Sequence, residues 1–182
     1  MKIEIYTDGS SRGNPGPGGW AAVIMTPTEI IELGGREDLT TNNRMELMGA
    51  IMGLKEVDSR LPIDDSNADA NSLSAISYQL STVEVCTDSQ YVKKGMTEWI
   101  DGRIKKGWIG STKKPVLNKD LWVALKEEED RLKKGGVKVL WKYVPAHVGV
   151  VMNERADTIA TMCADNASNL QLYRGEKSGY TV

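Results

Sequence analysis

Residues 3–7 (Ile-Glu-Ile-Tyr-Thr) alternate apolar and polar side chains, the period of a half-buried strand. Apolar runs at 20–25 and 30–33 repeat the signal, and three strands joined by short loops predict an antiparallel meander. Between the first two lies Gly13-Asn14-Pro15-Gly16-Pro17-Gly18-Gly19, which reads as loop throughout because helices and strands rarely tolerate such glycine and proline density. The period then changes. Over 44–57, Leu47, Ala50, Ile51, Leu54 and Val57 recur at helical spacing as one apolar stripe. Gly49 and Gly53 in that helix point to close backbone packing rather than an exposed surface.

A short strand at 83–86 is followed by a helix starting near Ser89. Asn118 or Asp120 can cap a helix running to about Lys134, which Gly135-Gly136 ends. Residues 137–144 are strand-like, and Asn153 can cap a last helix with the stripe Ala156, Ile159, Ala160 and Cys163. The sum is an α/β fold, a five-stranded mixed sheet with helices on both faces. Residues 1–165 read as one domain, interrupted at about 58–81 by a small, polar, acidic surface insertion with a short helix around 73–80. Residues 166–182 read as a weakly patterned C-terminal tail.

Composition narrows the class. With 182 residues, 40% hydrophobic and 26% charged, the chain suits a globular domain and not a disordered one. A net charge of -2 excludes a general polycation, so any nucleic-acid affinity must be local. Arg103, Lys105, Lys106, Lys113, Lys114 and Lys119 supply it, with no acidic residue between 103 and 119. Two separated cysteines and one histidine argue against structural zinc and suit buried thiols in a reducing compartment. No signal peptide or membrane-length apolar run is recognised, and a cytoplasmic location with no membrane partner is expected.

Four carboxylates carry the chemistry: Asp8 in Tyr-Thr-Asp-Gly-Ser, Glu46 in Asn-Asn-Arg-Met-Glu-Leu, Asp88 in Cys-Thr-Asp-Ser-Gln, and Asp157 in Asn-Glu-Arg-Ala-Asp. Each alone has a plainer reading. Asp8-Gly9 suits a hairpin turn, Asp88 a helix cap, and Glu46 and Asp157 sit near helix starts where acids complement the dipole. Two are expected to close strands and two to lie in opening helical turns, so one sheet edge can gather them. Gathered carboxylates repel unless cations sit among them, and an all-oxygen set favours hard divalent ions, Mg2+ or Mn2+. Two such ions can activate water and stabilise a leaving oxygen in phosphoryl chemistry, with Asp8 as the natural bridge. His147 is a candidate for proton transfer, its ordinary pKa being about 6.5. Trp99 and Trp108, interleaved with Lys105, Lys106, Lys113 and Lys114, suit a nucleic-acid backbone better than a solvated loop with core tryptophans. Asn14, Asn42 and Gln90 stand beside the acidic motifs, placed to contact a strand.

These motifs, in this order, resemble type 1 ribonuclease H of the bacterial kind. The resemblance rests also on Thr-Thr-Asn-Asn-Arg-Met-Glu-Leu-Met and on Lys-Lys-Pro-Val followed by Asp-Leu-Trp. It implies hydrolysis of the RNA strand of RNA–DNA hybrids, leaving 5′-phosphate and 3′-hydroxyl ends, by a monomer using two Mg2+ ions, with Mn2+ able to serve. It implies Asp8, Glu46, Asp88 and Asp157 as metal ligands and His147 as an aid to proton transfer or product release. Asn14, Asn42 and Gln90 would contact the hybrid, Thr41 a phosphate, and the Trp99–Lys114 protrusion the DNA strand. Three features depart from the family: Ala146 replaces a usual glycine, loop 148–152 is apolar, and the insertion at 58–81 is extra. The rival readings are a DNA nuclease of the same fold and an inactive hybrid-binding module.

Overall fold

The computed structural model describes residues 1–60, 80–110 and 113–182. The expected insertion, with its short helix around 73–80, falls for the most part outside the described residues. Among the described residues, six strands form one mixed sheet in the order β5-β4-β1-β2-β3-β6. β1 (Lys2–Ser11), β2 (Gly16–Met25) and β3 (Glu29–Thr40) make the antiparallel meander expected from the alternation. β4 (Thr82–Thr87) joins β1 in parallel, and β5 (Lys138–Tyr143) joins β4 in parallel.

The sixth strand is a difference from expectation. β6 (Arg174–Glu176) comes from the tail and pairs antiparallel with β3. Three residues, two of them charged, are too few to show an alternation, so only the pairing edge of β3 defines this strand. A second correction concerns the glycine cluster: Gly16 to Gly19 are strand rather than loop. A Cβ on Gly19 would stand 2.2 Å from Ala160 O and 2.5 Å from Ala164 N. The glycine is thus there because a helix backbone lies directly upon the strand.

Helices cover both faces, as expected. On one, α1 (Asn42–Asp58) and α4 (Lys119–Lys134) bury Leu47, Leu54, Trp122 and Leu125 with Ile3, Ile5 and Val85 of the sheet. Gly49 and Gly53 make the expected close contacts: a Cβ on each would meet Ala21 O at 2.6 Å and Ile5 Cγ2 at 2.7 Å. On the other face α5 (Val151–Ala164) packs Ala156, Ile159 and Ala160 against Ala21, Val23 and Ile30. Between β4 and α4, α2 (Gln90–Lys94), a π-helical turn (Gly95–Trp99) and α3 (Ile100–Lys105) carry the chain outward. Ser89 caps α2, its hydroxyl accepting from Val92 N. Asn118 stands at the α4 cap position but gives its amide to the Tyr91 hydroxyl instead. Cys86 and Cys163 are buried free thiols.

Candidate active site

Register brings the first two carboxylates together. Thr7 of β1 pairs with Thr87 of the parallel strand β4, so the residues that follow, Asp8 and Asp88, emerge side by side. Asp8 does not close its strand as expected, because β1 continues to Ser11 against β2 and Asp8-Gly9 is no hairpin turn. Gly9 has another use. A Cβ there would lie 2.2 Å from Glu46 N, so the missing side chain lets the first turns of α1 rest on β1 and deliver Glu46. One ligand oxygen each from Asp8, Glu46 and Asp88 then lie within 4.8 Å of one another. Asp157 comes from α5 on the opposite face and reaches Asp8 closely enough to hydrogen-bond its protonated form. It sits in the second turn of α5 rather than the first, because that helix starts at Val151 and its cap position is Val150, not Asn153.

The electrostatics are those of a buried acidic cluster. Burial, then the charge of Asp88, pushes the Asp8 carboxyl up to about 8, although Gly9 N–H donates to it at 2.8 Å. Burial and the charges of Asp8 and Asp88 hold Glu46 well above the usual carboxylate range. Asp88 is raised by burial, against a 3.4 Å hydrogen bond from Asn153 Nδ2. Glu46 Oε1 accepts from Asn42 Nδ2 at 3.2 Å, while its buried Oε2 has no hydrogen-bond partner among the described residues. A buried carboxylate oxygen without a donor costs on the order of 1–3 kcal/mol or more. An oxygen-loving divalent cation would satisfy it and relieve the mutual repulsion, so this donor set fits such an ion.

Of the other sequence candidates, Asn42 and His147 act directly on this cluster. Asn14 and Gln90 are exposed, Thr41 is half-buried at the α1 cap position without a side-chain capping bond, and Asn42 is tied to Glu46. His147 is exposed on the β5–α5 loop with a left-handed φ of 55°, near enough for its charge to act on Asp88. Trp99 and Trp108 are half-buried, whereas Lys105, Lys106, Lys113 and Lys114 are exposed. Asn43, Tyr91, Trp99, Arg103, Lys106 and Lys114 line a cavity of about 620 Å³ that begins one residue from Asn42.

Arg103 of the basic stretch stacks on Trp99 and Trp122, 5.0 and 5.6 Å from the ring centroids, and its buried Nη1 has no partner among the described residues. One residue at the acidic site was not among the sequence candidates for function. Asn153, only 2% exposed, contacts Asp88 instead of capping a helix. Its spacing to Asp157 was the available signal, since residues four apart share a helix face.

Comparison with known proteins identifies the family. The RNase H family model matches residues 1–165. The ribonuclease H of Erythrobacter litoralis is 44% identical over 164 residues, covering 90% of this chain and 96% of that protein. Among solved structures, LC9-RNase H1, described as a type 1 RNase H with the type 2 active-site motif, superposes with a TM-score of 0.69 at 24% identity. That match covers 94% of this chain and 76% of the other. LC11-RNase H1 in complex with RNA/DNA hybrid gives 0.57 at 24%, covering 91% and 98%. A match of nearly the whole chain at such identity places this chain in the type 1 ribonuclease H family.

Proposed function

We propose that the chain is an endonuclease that hydrolyses the RNA strand of RNA–DNA hybrids, leaving 5′-phosphate and 3′-hydroxyl ends. The observation that carries this reading is the convergence of one ligand oxygen each from Asp8, Glu46 and Asp88 within 4.8 Å, together with a buried Glu46 oxygen that has no hydrogen-bond partner among the described residues. Asp8, Glu46, Asp88 and Asp157 hold two divalent cations, Mg2+ in the first instance and Mn2+ as a substitute. When bound, such a pair supplies an activated water and charge stabilisation at the leaving 3′ oxygen.

The protein's own groups do the rest. Asp8, on an interior strand of the sheet and acted on by both Asp88 and Asp157, would be the central carboxylate of the set that holds the ions. Asn42 orients Glu46 through its amide, and Asn153 orients Asp88. Asn14, Asn42 and Gln90 present amides to the strand being cut, where a ribose 2′-hydroxyl distinguishes RNA from DNA. Thr41 offers its hydroxyl to a phosphate. His147, exposed and loosely placed by its loop, takes up or delivers a proton at the edge of the cluster. The cavity floored by Trp99 and rimmed with Lys106 and Lys114 receives the DNA strand, together with Lys105, Lys113 and Trp108.

Labelled hybrid incubated with and without Mg2+ tests the reading. Cleavage of the RNA strand only, and only with the cation, is expected; equal cutting of duplex DNA would sink it. Changing Lys105, Lys106, Lys113 and Lys114 to alanine should weaken hybrid binding and lower the slope of log affinity against log salt by as much as about 3.6. Fluorescence anisotropy at several salt concentrations measures it.

A further inference from the structure

The strand β3 carries a charge where its alternation calls for core. Ile30, Glu32 and Gly34 face α5, and the Glu32 side chain is 0% exposed. A buried carboxylate is costly unless every oxygen is paired. Here both are. Oε1 accepts from Arg155 Nε at 2.7 Å and the Tyr180 hydroxyl at 2.6 Å. Oε2 accepts from Arg155 Nη2 at 2.8 Å and Tyr173 N at 2.9 Å. Glu32 N in turn donates to Tyr173 O at 2.7 Å, and Arg155 Nη2 donates to Gln171 O at 3.0 Å. The tail is thereby stitched to β3 by β6 and to α5 by one guanidinium.

Arg155 lies two residues before Asp157 on α5. At 3.6 residues per turn, two positions are about 200° apart around the axis, so Arg155 is held on one side while Asp157 faces Asp8 on the other. The apolar packing of Ala156, Ile159 and Ala160 is non-directional and resists rolling of the helix poorly. A bidentate carboxylate–guanidinium pair fixes angle as well as distance. The loop that leads into α5, 145–149, is exposed and adds a single hydrogen bond to the helix, Gly149 N to Glu154 Oε1 at 2.9 Å.

We infer that Glu32 is a positioning residue: with Tyr173 and Tyr180 of the C-terminal tail it clamps Arg155, sets the roll of α5, and so sets where Asp157 meets the divalent cations. The inference rests on the metal-binding part of the proposed function. Docking of the tail and cation affinity are coupled through this one buried carboxylate.

The test is titration calorimetry of Mn2+ into full-length protein without nucleic acid, for wild type, Glu32→Gln and Tyr180→Phe. Circular dichroism confirms that each is folded at the temperature used. A change in a group supporting a ligand commonly weakens metal affinity by about tenfold or more, which is the expectation for Glu32→Gln, with a smaller loss for Tyr180→Phe. Saturating Mn2+ should restore kcat, and hybrid affinity in EDTA should be unchanged. Leu125→Ala, in the α4 core away from α5, lowers stability without touching the clamp and should leave Mn2+ affinity unaltered. If it weakens Mn2+ equally, general stability explains the effect and the clamp is refuted. Folded clamp variants that bind Mn2+ like wild type refute the clamp alone. Wild type that binds no Mn2+ refutes the metal reading beneath it. Should Glu32→Gln not fold, Tyr180→Phe decides between the same outcomes.

Discussion

The molecule buries carboxylates in two places and treats them oppositely. At the acidic site, burial and the charge of Asp88 drive Asp8 up, burial and the charges of Asp8 and Asp88 drive Glu46 up, and Glu46 Oε2 has no donor among the described residues. At the clamp, burial also works against Glu32, but hydrogen bonds from Arg155, Tyr180 and Tyr173 outweigh it and hold the carboxyl below its usual range. Burial is common to both, so burial alone decides neither outcome. The difference is whether the protein itself supplies the positive charge and the donors. Where it does, the result is structure. Where it withholds them, the fold keeps an unfilled demand that a divalent cation can meet.

Exchanging the charge at each place should therefore have opposite consequences. Asp88→Asn should reduce hybrid cleavage by at least on the order of a thousandfold, about 4 kcal/mol of barrier, while binding survives. The same change should raise the melting temperature in EDTA, by about 2–4 °C for each kcal/mol of repulsion relieved. Unchanged cleavage in a gel assay would remove Asp88 from the mechanism. Arg155→Ala should do the reverse to stability, since it strands the Glu32 charge. Breaking a buried pair costs about 3–5 kcal/mol, and the low end applies because the Arg155 side chain is 21% exposed. Denaturant unfolding with an unchanged midpoint would show that the clamp contributes nothing.

A smaller effect separates the two regions by pH. The folded state raises Asp8 to about 8, above an unfolded value of about 3.9, so it favours the protonated form. That contribution is complete below about pH 4 and disappears as pH rises through about 8. Glu32 has the opposite sign: its contribution is complete above the ordinary glutamate range of about 4.3 and is lost as pH falls through its lower folded value. Metal-free protein should thus melt a few degrees lower at pH 8 than at pH 6, with about 2–4 °C per kcal/mol, and Mg2+ should reverse the loss. Melting curves in EDTA check this, and Asp8→Asn should flatten the profile.

Much of this was legible along the chain. Alternation gave β1, apolar runs gave the body of β2, β3, β4 and β5, helical stripes gave α1 and α5, and the flanking cap and glycine stop gave α4. The acidic motifs were found because each carboxylate sits beside short-range signals: a strand ending near Asp88, or a helix beginning near Glu46. Other elements failed for identifiable reasons. Gly16–Gly19 read as loop because strand propensity is averaged over sites, while a glycine under a crossing helix is selected by contact. Asn153 read as a cap because the capping preference is local, and its partner Asp88 is 65 residues away. The tail read as patternless because β6 has three residues and borrows its regularity from β3.

The sequence by itself determined which side chains bear the chemistry, the secondary structure that carries them and the family to which the chain belongs, since motif spacing and periodicity are local properties. Only the tertiary structure decided that Glu32, a lone charge in the apolar run Ile-Ile-Glu-Leu, is buried and satisfied. Its partners lie 123 to 148 residues away, and no pattern along the chain encodes a hydrogen bond made across that distance.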